Sequence, residues 1–162
     1  MKSLTTEYIA LEDRVRLSGA VAGTAPVVVW LNRRLLQRLL PVLLQWLEAQ
    51  SGATLRPDVL HGFHLQAARA ELAPLAPVRS VAGSAEWLAQ AVDIARTEHA
   101  LHLSFRSPDG KSATLLMEAK PLRQWLSIVY EAYLKAEWPL DVWPAWLQES
   151  VLPADKHAGA FH

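Results

Sequence analysis

Residues 8–50 read YIALEDRVRLSGAVAGTAPVVVWLNRRLLQRLLPVLLQWLEAQ, and this stretch decides the fold that the sequence predicts. Apolar and polar side chains alternate over residues 9–18, as in a half-buried strand, and the misfit at Glu12 and Asp13 predicts a bulge. Small residues at 19–26 are typical of a turn, after which a β-branched strand and a helix follow. The predicted order is strand, strand, helix.

The pattern returns in residues 94–136 (IARTEHALHLSFRSPDGKSATLLMEAKPLRQWLSIVYEAYLKA), at a constant offset of 86 residues from 8–50. The dipeptide Asp109-Gly110 is a strong hairpin signal. Asn32 is suited to cap the first helix, and Pro121 suits the first turn of the second. We therefore expect an α+β fold in which two tandem ββα pseudo-repeats form one four-stranded antiparallel sheet, with the helices packed on one face.

Length and composition favour one folded domain. Half of the residues (51%) are hydrophobic and only 20% are charged, which argues against intrinsic disorder, and 162 residues fit a single domain. The predicted domain spans residues 1–152. Its parts are repeat one (8–50), a connecting helix and linker (52–86), repeat two (94–136) and a Trp-rich C-terminal strap (138–152), followed by a flexible tail (153–162).

Charge and cysteine content exclude several classes of protein. The formal net charge is zero, so no overall field favours nucleic acid or an anionic membrane. The chain has no cysteine, which excludes a disulfide framework, a thiolate metal site and a cysteine nucleophile. The most apolar stretch, residues 27–47, contains three arginines and is therefore not a transmembrane helix. With no signal-peptide pattern at residues 1–17, we expect a cytoplasmic protein that does not contact a membrane.

The two predicted helices carry apolar arcs that are wider than one sheet can cover. A helix on a sheet needs an apolar stripe of about 100°, whereas the first helix is apolar over roughly twice that arc. The surplus is covered either within the chain or by a second copy, and closed homodimers are the commonest assemblies. We expect a homodimer, and the residues predicted at its interface or at a partner's are Leu36, Leu40, Leu44, Trp138, Trp143 and Trp146.

Seven tryptophans are many for this length, and three of them stand in the predicted strap. Tryptophan is enriched in interface hot spots and also packs well in cores. We predict a non-catalytic, homo-oligomeric adaptor or assembly protein that binds another protein through this apolar, Trp-bearing surface. The open alternative is that the strap packs on the domain's own core.

A second hypothesis is a small-molecule-binding protein or enzyme with a pocket between the repeats. Polar residues near the predicted strand ends would line that pocket, but the chain lacks GxSxG and any other recognisable catalytic motif. The sequence therefore predicts no catalytic residue and no cofactor. The candidate pocket residues are Glu12, Arg16, Glu98 and His102.

Two weaker signals involve cations and histidines. Arg33, Arg34 and Arg38 lie near a predicted helix N-terminus, where positive charge opposes the helix dipole, and they are therefore candidate contacts for phosphate or an acidic protein surface. Nucleic acid is the third functional hypothesis. His61 and His64 could share a helix face, but no further ligand completes the spacing of a metal site, and we predict none.

Overall fold

The computed structural model describes residues 3–20, 23–50, 57–71 and 84–151, without the side chains of residues 57–60 and 63. These residues form an α+β fold. The predicted tail (153–162) and part of the predicted linker (72–83) lie outside the described residues. The elements are β1 (Ser3–Ile9), β2 (Arg14–Ala20), β3 (Val27–Leu31), α1 (Arg33–Gln50), α2 (Pro57–Ala70), β4 (Ala85–Leu88), β5 (Ala91–Arg96), β6 (Ala100–Arg106), β7 (Ser112–Glu118), α3 (Ala119–Ala136) and α4 (Ala145–Val151).

The strands form two sheets. The first has the order β1-β2-β3-β4, antiparallel except for the parallel pair β3–β4, and the second is the antiparallel sheet β5-β6-β7. The prediction of one four-stranded antiparallel sheet built from both hairpins is not confirmed, because each hairpin lies in a different sheet. An additional strand extends each hairpin: β1 pairs with β2 in the first sheet, and β5 pairs with β6 in the second. The sequence pattern revealed neither of these two strands.

The bulge predicted at Glu12 and Asp13 is a tight turn between β1 and β2. Glu12 N–H donates to the Ile9 carbonyl at 3.1 Å, and Asp13 has a φ of 49°. The Asp13 carboxylate accepts hydrogen bonds from the Tyr8 hydroxyl at 2.7 Å and from Trp138 Nε1 at 3.0 Å. Aspartate tolerates the left-handed conformation better than most residues, and here its side chain also ties the turn to the C-terminal strap.

The two halves keep a common register at the offset of 86 residues. Helix α1 spans residues 33–50 and α3 spans 119–136, so their bounds coincide at this offset. The pairing of Val15 with Leu31 corresponds to that of Leu101 with Met117. Each half therefore has the order strand, strand, strand, helix. The repeat itself stays a prediction, supported by this common register.

A two-residue junction, Ala89–Gln90, connects the two sheets. Ala89 N–H donates to the Trp30 carbonyl of β3 at 2.9 Å, and Gln90 N–H donates to the Arg106 carbonyl of β6 at 2.8 Å. Strands β4 and β5 thus follow each other almost directly in the chain, with β4 paired in the first sheet and β5 in the second. The junction fixes the position of each half relative to the other.

The wide apolar arcs of α1 and α3 are covered from within the chain. Helix α2 packs against both α3 and α4. Leu65 of α2 and Leu147 of α4 are fully buried, and both belong to a hydrophobic cluster that contains residues of both sheets and of α1 and α3. Trp146 Nε1 of α4 donates to Glu48 of α1 at 3.5 Å. Burial of these side chains contributes about 1.5–3 kcal/mol for each large one, which favours cover by the chain's own elements.

Candidate functional site

An open cleft of about 280 Å³ lies at the point where the two halves meet. One wall is the first turns of α1, another is the junction between β4 and β5, and the turn between β6 and β7 contributes the third. The lining residues are Asn32, Arg34, Leu35, Arg38, Leu88, Ala89, Gln90 and Pro108.

Helix geometry explains why two arginines reach this cleft. Leu36 and Leu40 are fully buried, which fixes the rotation of α1 on the core. Arg34 and Arg38 are four residues apart and therefore lie on one face of the helix, both of them exposed. The helix begins immediately before them because Asn32 caps it, as predicted: its Oδ1 accepts from Leu35 N–H at 2.8 Å.

The positive charge of this helix turn is not neutralised by the described residues. No carboxylate in the described ranges lies within 4.0 Å of Arg33, Arg34 or Arg38. Two effects make these cations unfavourable at the start of α1. The helix dipole opposes positive charge at a helix N-terminus, and Arg34 and Arg38 repel each other at positions i and i+4. Each effect costs a few tenths of a kcal/mol or more. Other described arginines do pair with carboxylates, and these are Arg14, Arg16, Arg69 and Arg106.

The composition of the lining limits the chemistry of the cleft. Among the described residues that line it, the only ionisable groups are the two guanidinium groups, which stay protonated and cannot accept a proton. The side-chain amides of Asn32 and Gln90 add further polar groups. A planar guanidinium donates two parallel hydrogen bonds to a carboxylate or phosphate, so the cleft can bind an anion. None of the described lining residues is a candidate general acid or base.

The six residues predicted for a partner or dimer interface are buried in the single chain. Their exposed fractions run from 0% to 5%. Trp138 and Trp143 pack edge-to-face on Tyr133, with ring centroids 5.0 and 5.3 Å apart. This packing favours the open alternative, in which the strap packs on the domain's own core. A partner could reach these side chains only after a rearrangement of the chain. The six are Leu36, Leu40, Leu44, Trp138, Trp143 and Trp146.

The two residues of the first half that were predicted to line a ligand pocket, Glu12 and Arg16, have different neighbours. Glu12 lies in the β1–β2 turn, with its carboxylate 4.0 Å from Arg14. Arg16 pairs with Glu7 at 2.6 Å, and its guanidinium carbon lies 5.9 Å from the ring centroid of Trp30.

In the second half, Glu98 and His102 are likewise apart from the cleft. Glu98 lies in the β5–β6 turn, 3.9 Å from the exposed ring of His99, and His102 is exposed on β6. Among the described residues no hydrogen bond or ion pair joins any two of the four predicted pocket residues, and the cleft lining contains none of them.

The two helical histidines pack against neighbouring helices. The ring of His61 lies 5.1 Å from that of Trp146. Burial, followed by the nearby charge of Arg123, lowers the pKa of His64. Within the described ranges no group of three or more His, Asp or Glu side chains is placed to hold a metal ion. Nor does any helix in those ranges combine the length and the apolar character needed to cross a membrane.

Sequence reasoning found only part of this cleft. Arg34 and Arg38 were predicted as anion contacts, whereas Leu88, Gln90 and Pro108 were not considered. Those three residues lie far from α1 in the sequence, and only their positions in the fold bring them to that helix. Comparison of the chain with protein-family models, with curated proteins and with solved structures finds no match in any of the three.

Proposed function

We propose that this protein is a non-catalytic adaptor whose cleft at the start of α1 binds an acidic segment of another protein. The observation that supports it is the pair of guanidinium groups, Arg34 and Arg38, which line the cleft without a carboxylate partner among the described residues. A pair of carboxylates would neutralise them. It would also relieve the unfavourable interaction of the two cations with the helix dipole.

The proposal keeps the predicted adaptor role and changes the surface. The tryptophans of the strap are buried, with Trp138 5% exposed and Trp143 3% exposed, so they are poor first contacts for a partner. The cleft is open and is available without rearrangement. The row formed by Leu88 (36% exposed) and Leu35 provides a small apolar contact beside the cations.

The size of the cleft favours a peptide segment over a complete small molecule. Ligand pockets usually enclose about 300–1,000 Å³ and bury most of their ligand. This cleft has about 280 Å³ and is open, which suits one or two acidic side chains that project from a larger surface. Because the described part of the lining contains no proton-transfer group, the enzyme hypothesis has less support than binding.

The test is titration of a fluorescein-labelled, glutamate-rich peptide, followed by fluorescence anisotropy at low and moderate salt. We expect binding that weakens as salt rises, because the contacts are exposed ion pairs. The double variant Arg34→Gln/Arg38→Gln should bind at least about tenfold more weakly, which corresponds to about 1.4 kcal/mol. Arg96→Gln is the matched control, because Arg96 is an exposed arginine of β5 outside the cleft lining.

Two outcomes would overturn the proposal. One is equal loss of binding in Arg96→Gln and in the double variant, which would indicate a diffuse charge effect. The other is tighter binding of a single-stranded oligonucleotide than of the peptide, also lost in the double variant, which would support the nucleic-acid hypothesis instead.

A further inference from the structure

Strand β7 ends the second sheet and leaves one edge without a strand partner among the described residues. The turn before β7 shows which of its residues direct their main-chain groups to β6, because Ser107 N–H donates to the Lys111 carbonyl at 2.9 Å. In an antiparallel pair, alternate residues direct both main-chain groups to the same neighbour. Lys111 and every second residue after it therefore face β6. The main-chain groups directed to the open edge are those of Ser112, Thr114, Leu116 and Glu118.

The residues whose main-chain groups point to this edge are exposed. All four belong to the exposed class, and Leu116 has 55% of its surface in solvent. The other three terminal strands are β1, β4 and β5. In β1 only Glu7 is exposed, and Thr6 accepts a hydrogen bond from Trp125 Nε1 of α3 at 3.0 Å. Strand β4 has only four residues, and three of the six residues of β5 are partly buried. We therefore consider the edge of β7.

The edge also lacks most of the features that usually prevent strand addition. Proteins protect open edges with proline, bulges, charged side chains or very short strands, and of these β7 has only the charges at its two ends, Lys111 and Glu118. Strand β7 has seven residues, no proline and an uninterrupted register with β6 from Ser112 to Glu118. Glu118 is the N-cap of α3 and keeps an extended backbone (φ −78°, ψ 174°). Its N–H therefore still belongs to the strand, whereas its carbonyl accepts the first hydrogen bond of the helix.

We propose that a second copy of this chain pairs with the open edge of β7, in antiparallel orientation, to form a homodimer with a continuous six-stranded sheet. A two-fold axis at Leu115 puts Thr114 opposite Leu116 of the second copy, and Ser112 opposite its Glu118. All four residues that face the edge then pair with one another. A shift by one residue would put the two cores on opposite faces of the sheet.

Charge complementarity supports this register. Lys111 stands at the start of β7 and Glu118 at its end, so antiparallel pairing brings each Lys111 within one residue of Glu118 in the other copy. Opposite charges thus meet at both ends of the interface, and the two-fold axis repeats each contact.

The first test is a mixed cross-link, for which the cysteine-free chain is well suited. In the proposed register Thr114 and Leu116 of the other copy form a hydrogen-bonded pair with Cα atoms about 5.5 Å apart, within disulfide range. The two copies of Thr114 lie diagonally across the interface, as do the two copies of Leu116. The Cα atoms of each such pair are roughly 8–9 Å apart, which exceeds disulfide range. Thr114→Cys mixed with Leu116→Cys should therefore form a disulfide dimer on mild oxidation, and each variant alone should form severalfold less. Equal yields in all three samples, or none in the mixture, would overturn the register.

The second test is sedimentation equilibrium of the intact protein at tens of micromolar. We expect twice the monomer mass of 18.0 kDa. Thr114→Pro removes an N–H that points to the open edge and none that pairs with β6, so it should give a folded monomer. Thr114→Val keeps that N–H and should remain dimeric. If Thr114→Pro fails to fold, Leu116→Asp provides the second variant, with an expected rise in the dissociation constant of at least tenfold. A monomeric wild type, or a dimer that survives both edge variants, would overturn the proposal.

Discussion

Tyr133 carries one of two polar groups of the described aromatic core that are buried without a hydrogen-bond partner among the described residues, the other being Trp143 Nε1. Its side chain is fully buried, its ring packs edge-to-face with Trp138 and Trp143, and its hydroxyl has no hydrogen-bond partner among the described residues. Burial raises the pKa of Tyr133 to about 12, an effect that the charge of Arg33 partly opposes. The ring contributes packing, whereas the hydroxyl opposes folding, because an unpaired buried hydroxyl costs roughly 1–3 kcal/mol.

Replacement of this hydroxyl should therefore stabilise the protein. We expect Tyr133→Phe to raise the free energy of unfolding by about 1 kcal/mol at pH 7, measured by urea denaturation. The folded pKa is above the unfolded value, so the stability of the wild type should fall as pH rises from about 10 to 12, where only the unfolded chain ionises. The difference between Tyr133→Phe and wild type should increase over that interval.

Tyr130 offers the matched control for this measurement. It is also buried in α3, with 4% of its surface exposed, but its hydroxyl is not among the buried unpaired atoms. Tyr130→Phe should change stability by less than about 0.5 kcal/mol at pH 7. A destabilised Tyr133→Phe would mean that the hydroxyl has a partner in solution.

At the scale of elements, the end of α3 depends on a residue in an unusual conformation. Glu137 has φ 54° and ψ 32°, in the left-handed region, and its N–H donates to the Leu134 carbonyl at 3.2 Å. Trp138 N–H then donates to the Tyr133 carbonyl at 3.1 Å, which turns the chain into the strap. Helices usually end this way at glycine, since a side chain in this region costs about 1–2 kcal/mol.

Glycine at this helix end should relieve that cost. Glycine also makes the unfolded chain more flexible, which offsets about 0.4–1 kcal/mol, so we expect Glu137→Gly to stabilise the protein by roughly 0.5–1 kcal/mol. Thermal unfolding followed by circular dichroism would measure the shift. Glu137→Gln keeps the side chain and should leave the midpoint unchanged. A lower midpoint for Glu137→Gly would show that the carboxylate, not the backbone, determines this helix end.

The sequence alone was sufficient to predict the secondary-structure elements that show a clear helical periodicity or a recognisable cap. Residues 33–50 and 119–136 show strong helical periodicity, and the Asn32 cap was correctly predicted. Strand β1 was missed because its threonines and Glu7 do not alternate clearly with apolar residues, and because the turn before Arg14 resembled a bulge. The two-sheet arrangement depends on the Ala89–Gln90 junction, whose hydrogen bonds to distant strands leave no local pattern.

The candidate site was less predictable than the elements. Arg34 and Arg38 could be recognised because cations at a helix start are unfavourable. Periodicity shows that a helix has a wide apolar arc, but it does not show which element covers that arc. The buried positions of Leu36 and Trp143 therefore could not be distinguished in advance from an interface.

At the scale of the whole molecule, the two halves share one hydrophobic core. The same cluster contains Leu17 and Leu43 of the first half and Leu103 and Leu126 of the second. Trp46 Nε1 of α1 donates to the Thr97 carbonyl at 3.4 Å in the second half. Neither half covers its apolar surface alone.

The two halves should consequently unfold together. We expect urea transitions followed by tryptophan fluorescence and by far-ultraviolet circular dichroism to have the same midpoint and slope, as in a two-state process. Calorimetric and van't Hoff enthalpies should agree. Two separated transitions would contradict a shared core, and fragments 1–90 and 91–162 that each fold alone would contradict it more directly.

The contacts of β1 have a consequence for how the protein is made. Trp125 reaches back to Thr6, and Trp138 reaches back to Asp13, across 119 and 125 positions of sequence. A chain that leaves the ribosome N-terminus first has made β1 long before either tryptophan exists. Strand β1 must therefore wait, incompletely covered, until α3 and the strap have been synthesised, and the native core of this domain forms only after that point.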